Sequence, residues 1–96
     1  QNEAGSNIKT LYRILDDRVE ALEFTVHEVS PATGVPLSEL HLKPNLLLCC
    51  ITRGDQIIIP RGGDTIQLGD TVIVVTLQHG LHDLRDIVAG QGGARR

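Results

Sequence analysis

The side chains able to do chemistry in this sequence are few and scattered. His79 and His82 stand three apart, a spacing that would put both imidazoles on one helix face. Two such histidines can ligate a metal, but a zinc site needs further ligands, and neighbouring Asp83 would point about 100° away around the helix. The plainer expectation is that His79 opens a helix and His82 is solvated. His27 and His41 read as surface residues. Cys49 and Cys50 are adjacent, and neighbours on a strand point to opposite faces, so they are poorly placed to bridge each other. A redox role would need a thiolate with positive neighbours and exposure; inside an apolar strand a cysteine is more simply a small hydrophobe. Arg53 and Arg61 flank a turn, and a guanidinium suits bidentate recognition of phosphate. With Asn45 they are the candidate contacts of a phosphorylated ligand, against the alternative that both arginines are solvated loop residues. The sequence carries no GxSxG, HExxH, Walker loop or CxxC, so no catalytic set is legible and the expectation is a non-enzyme.

Composition sets the remaining bounds. Ninety-six residues make one small domain. With no Trp, no Met, one Tyr and one Phe, the core must be built from Leu, Ile and Val, and the β-branched pair favours strands. The net charge is -3 and only two of the nine basic residues are lysines, which argues against nucleic acid as a partner. No apolar run approaches the roughly 20 residues of a membrane-spanning helix. Two unpaired thiols suit a reducing cytosol. Residues 1–7 are polar and read as a flexible lead-in rather than a signal peptide.

The elements that must position these side chains follow from periodicity. Residues 8–19 fit either a helix face or a hairpin turned at Asp16-Asp17. Residues 21–27 alternate apolar and polar as a half-buried strand does. Residues 30–34 are turn chemistry, and 36–40 can make one helical turn with Leu37 and Leu40 on the same side. Residues 46–52, LLLCCIT, form an apolar run suited to a strand covered on both faces. Gly54-Asp55 turns it into a return strand, 56–60, which Pro60 ends. Residues 71–77 are strongly β-prone, and Leu81, Leu84 and Val88 predict a C-terminal helix with one apolar stripe, capped at Gly90. The order predicts an α+β domain: a small mixed or antiparallel sheet with a short helix and a C-terminal helix. Those helices can cover one face of the strand at 46–51. The other is then expected to meet a second copy of the chain, with Leu46, Leu48, Cys50 and Ile51 as interface candidates. The competing arrangement has the C-terminal helix and the 8–19 segment cover both faces.

From residue 21 to 88 the sequence resembles the TrkA C-terminal domain, also called RCK-C. The blocks ALEFTV (21–26), GVPLSEL (34–40), LLLCCITRGDQIIIPRG (46–62) and DTIQLGDTVIVV (64–75) carry the likeness by their order and spacing. The resemblance divides the chain into a connector (1–20), the domain (21–89) and a flexible tail (90–96). It implies a dimeric, regulatory, ligand-sensing module of a cytoplasmic potassium-transport regulator, peripheral to the inner membrane through a transporter or channel subunit. It also implies that some such domains bind small ligands where two copies meet, cyclic di-AMP among them, so that a cyclic dinucleotide or other nucleotide is the candidate ligand. No GxGxxG is present, so no dinucleotide cofactor is expected in this domain. The alternative is a passive dimerisation module of another ion or carboxylate transporter that binds nothing.

Overall fold

The computed structural model describes residues 8–90. The ambiguous N-terminal segment is a hairpin. Strands β1 (Ile8–Ile14) and β2 (Val19–Thr25) pair antiparallel, turned by Leu15, Asp16 and Asp17, all with positive φ. Strands β3 (Leu46–Arg53), β4 (Gln56–Ile58) and β5 (Thr71–Thr76) complete a five-stranded sheet in the order β1-β2-β5-β3-β4. Every pairing is antiparallel, so the sheet is not mixed. The β1 segment, expected as a connector, is an edge strand of this sheet. Gly54 adopts φ 61 in the two-residue turn between β3 and β4, a conformation that favours glycine. The expected tails at 1–7 and 91–96 lie outside the described residues.

Alternation decides which residues enter the core. Leu22 and Phe24 of β2 stand opposite Val74 and Val72 of β5, and Val72 stands opposite Ile51 of β3; all are buried on one face. That face is covered by irregular chain carrying Ala32, Ile66, Leu81, Leu84, Ile87 and Val88. A 3₁₀ turn at Leu37–Glu39 holds Leu37 against the core, with Leu40 beside it, as the sequence suggests.

The C-terminal helix does not form. Only a 3₁₀ turn at Leu84–Ile87 is present, although Leu81, Leu84 and Val88 are buried as the stripe predicts. Asp83 is extended and caps the turn, and the Asp86 carboxylate accepts the backbone N–H groups of His82 and Asp83. Val88 is extended again and bridges Leu42. Carboxylates thus satisfy the donors that a longer helix would leave open at its start, and the chain leaves helical geometry after one turn. Gly90 caps no helix, and His79 and His82 share no helix face.

Phe24 is the largest fully buried side chain and the only phenylalanine. Phe24→Ala is expected to cost about 3–5 kcal/mol, which would unfold much of so small a domain. Urea titration followed by far-UV circular dichroism checks this, and a loss under about 1 kcal/mol would show a looser core than the burial implies.

Candidate functional site

Arg53 ends β3 and turns inward. Its Nε donates to Asp70 Oδ1 at 2.9 Å, and one Nη donates to Asp70 Oδ2 at 2.8 Å and to the Thr65 carbonyl at 2.9 Å. Asp70 is completely buried just before β5 and also accepts the Gln67 backbone N–H at 2.8 Å. Burial is the largest influence on this carboxyl and would raise its pKa. The hydrogen bonds from Arg53 and Gln67 and the Arg53 charge outweigh it and hold the pKa below its ordinary value. The same carboxylate raises the pKa of the Arg53 guanidinium. Arg53 is therefore a clamp on a buried acid. Asp70 read in the sequence only as half of a Gly-Asp turn, and nothing in the spacing joined it to a residue seventeen positions earlier.

The other two ligand candidates stand elsewhere. Asn45 precedes β3 with φ 59, and its carbonyl accepts the Leu77 N–H at 2.9 Å and the Thr76 hydroxyl at 3.2 Å. Asn45 and Arg53 are thus at opposite ends of β3, roughly 25 Å apart along an extended strand. Arg61 lies in the loop after β4, where its N–H donates to Asp64 at 2.7 Å. This loop is stitched to the 3₁₀ turn by Leu37 N–H to Asp64 O and Ser38 N–H to Gly62 O, at 2.9 and 3.0 Å. Gly62 runs so close that an added Cβ would sit 3.1 Å from the Ser38 Cβ. Between the stitched loops and the start of β3 lies an open groove of about 260 Å³, lined by Leu37, Ser38, Leu42, Leu46, Leu47, Leu48, Pro60, Arg61 and Gly62. It offers an apolar floor with one guanidinium.

The structure divides the interface candidates. Ile51 is fully buried within the chain, so it faces no partner. Leu46 and Leu48 pack on the same core, whereas Cys50 stands opposite Ile73 on the outer face. The pairing shifts between Leu48 and Cys50, which leaves Cys49 as a bulge. Leu47, outward and 62% exposed, is the residue that the apolar run concealed. The run is covered on its inner face alone. Both cysteines are free, and burial, then the neighbouring Cys50, raise the Cys49 pKa, which disfavours the reactive thiolate.

A third arrangement involves Glu20, a buried carboxylate on the inner face of β2. Arg13 Nε approaches it at 3.5 Å and His79 Nδ1 at 3.3 Å. This ties the chain after β5 to the first hairpin.

Comparison with known proteins agrees with the blocks noted above. The profile of the TrkA-C domain matches residues 21–89. The Trk system potassium uptake protein TrkA homolog 1 of Methanosarcina mazei is 34% identical over 73 residues, 76% of this chain and 16% of that protein. The TrkA homolog of Archaeoglobus fulgidus is 34% identical over 70 residues, 73% of this chain and 16% of that protein. A second Methanosarcina mazei homolog is 29% identical over 83 residues, 86% of this chain and 18% of that protein. The chain thus spans about a sixth of the length of these relatives.

The clamp generates a prediction about acid. A carboxyl whose native pKa lies below its unfolded value of 3.8 adds stability above that value and loses it as pH falls through the native pKa. Stability should therefore decline on acidification below about pH 4. Asp70→Asn should be less stable at neutral pH by about 1.5–3 kcal/mol and should show a flatter acid limb. Denaturant titrations across pH provide the check; a variant matching the parent in both respects would remove the clamp from the account.

Proposed function

Because the chain belongs to the TrkA-C domain family, we propose that it is a regulatory domain of a potassium-uptake protein and acts by binding rather than by turnover. The family match over residues 21–89, which takes in three strands and most of β2, carries this reading. The names of the relatives supply the potassium-uptake context. Among the described residues no helix is long and apolar enough to cross a membrane. A cytoplasmic location fits two free cysteines.

The ligand of such a domain would lie in the groove beside Arg61. An apolar floor with one guanidinium suits a molecule that joins a flat apolar ring to a phosphate, such as a nucleotide or a cyclic dinucleotide. Arg61 is the principal contact in this reading and Asn45, next to the groove residue Leu46, a marginal one. Arg53 drops out because its guanidinium already serves Asp70. The domain would work as a homodimer, with ligand favouring one arrangement of the two copies. Binding shifts such an equilibrium only by its differential affinity for the two states.

Calorimetric titration with a panel of nucleotides and cyclic dinucleotides tests the ligand. A bound phosphate should lose roughly ten- to a hundredfold in affinity in Arg61→Ala. No heat from any member, or affinity unchanged in that variant, would end the groove assignment. Deleting residues 21–89 from the parent protein tests the wider reading: potassium uptake or its regulation should change, and unaltered transport would contradict it.

A further inference from the structure

The two cysteines stand where β3 departs from regular pairing. Leu48 is opposite Val74 and Cys50 opposite Ile73, so Cys49 and Cys50 together face a single residue of β5. Leu48 packs on the core and Ile51 is fully buried, so both belong to the inner face. In an unbroken strand, residues of one face are an even number of positions apart. Leu48 and Ile51 are three apart, and the extra residue is taken up between them. Alternation outward from Leu48 places Cys49 on the outer face, and alternation back from Ile51 places Cys50 there too. The rule that sends neighbouring cysteines to opposite faces is thus suspended at the bulge. Both thiols are free and partly exposed. The open face around them is largely apolar: Leu47 stands opposite Val75, and Ala21 and Tyr12 follow in register. Toward Tyr12, residues Val19, Leu47, Val75 and Leu77 line an open depression of about 340 Å³. Glu23, opposite Ile73, is one strand further from the thiols. Among the described residues no three His, Cys, Asp or Glu side chains are placed to hold a metal ion together.

We infer that Cys49 and Cys50, brought to one face by the β3 bulge, form a two-thiol chelate for a soft monovalent metal ion, cuprous copper being the biological one. Thiolate sulfur selects soft ions over hard ones. A structural zinc ion completes four ligands, and calcium or magnesium takes oxygen, so two sulfurs alone serve neither. A cuprous ion is content with two thiolates. Binding releases both thiol protons to solvent and transfers no electron: Cu(I) and two thiols give a copper dithiolate and two protons. After burial, the charge of Cys50 is what raises the Cys49 pKa, so the two sulfurs lie close enough to feel one another. A cation held between them replaces that repulsion with attraction to both. The neighbouring side chains of Leu47, Ile73 and Val75 bring no oxygen to compete for the ion.

Cuprous ion, supplied to the 96-residue chain without oxygen and in competition with a chromophoric cuprous chelator, tests the site. The chain is expected to withdraw one equivalent of copper, and copper K-edge absorption should show two sulfur neighbours. Cys49→Ser and Cys50→Ser should keep the circular dichroism of the parent. Each should lose about a hundredfold or more in affinity, because a single thiol keeps none of the chelate advantage. Urea titration gives a second reading. Cuprous ion should raise the unfolding midpoint of the parent and leave that of Cys50→Ser in place, because the bulge exists only in the folded chain. No withdrawal from the chelator, one copper per two chains, or either serine variant binding as tightly as the parent would overturn the chelate. An unchanged or lowered midpoint would show that the unfolded chain holds the ion equally well and would overturn the part assigned to the bulge.

Discussion

A buried carboxylate holds this fold together. Asp70 sits where three strands and a loop converge. Its side chain takes the guanidinium at the end of β3 and the Gln67 N–H of the loop. Its carbonyl accepts the N–H of Val26, just past β2, at 2.8 Å, while Gly69 donates to the Val26 carbonyl at 2.9 Å. One residue thus fixes how β2, β3 and the entry to β5 stand relative to one another. An ionised acid without partners inside a protein is strongly unfavourable, so the arrangement is close to all-or-none. If Arg53 swings away, the buried Asp70 carboxylate keeps only the Gln67 N–H as a partner and loses the countercharge at the end of β3. The entry to β5 between β2 and β3 is thereby fixed, because the residue before it is held from both sides.

Among the described residues, the sheet that this clamp organises is covered on one face. A chain of 96 residues has little with which to cover two faces, and the covering segments among the described residues lie on one. They are irregular because short side-chain caps replace helix in them. On the inner face, among the described residues, no buried side-chain polar atom lacks a partner. The outer face, by contrast, keeps Ala21, Ile73 and Val75 half-buried merely by their neighbours on the sheet. That asymmetry is a property of size, and it explains how a chain with an ordinary hydrophobic fraction can leave an apolar surface open.

How much of this was legible in the residues differs from element to element. Alternation in β2 and β5 identified Leu22, Phe24, Val72 and Val74 correctly, because period two is the geometry of a strand. The run at 46–51 was apolar at every position, so alternation gave no direction, and the bulge at Cys49 moved the register besides. That is why Ile51 appeared to face outward and Leu47 did not. At 81–88 the spacing named the buried residues but not the backbone. Two aspartates and a flanking extended segment can hold the same stripe inward with a single 3₁₀ turn. The Arg53–Asp70 clamp left no pattern at all, since it joins residues across a chain reversal. Arg53 looked like a phosphate ligand for the reason that made it a clamp: a guanidinium fits any oxyanion, and here the oxyanion is internal.

The groove and the open face are not independent surfaces. Leu46 and Leu47 line both the depression beside Tyr12 and the groove beside Arg61. They begin β3, whose pairing with β5 is regular from Leu46 to Leu48 and then interrupted at the bulge. A bulge strengthens local twist and loosens the ladder, so the first turn of this strand is the part best able to shift against β5. A ligand pressing on Leu46 and Leu48 from the groove side would act on the segment that carries Leu47 into the outer hollow. Coupling of this kind would need no long pathway: of the three residues that open β3, Leu46 and Leu48 pack inward beside the groove and Leu47 lies on the outer face. It also sets a limit. A ligand in the groove would act on the outer face only by the difference in its affinity for two positions of that strand, and whatever met the outer face would change ligand affinity by the same factor.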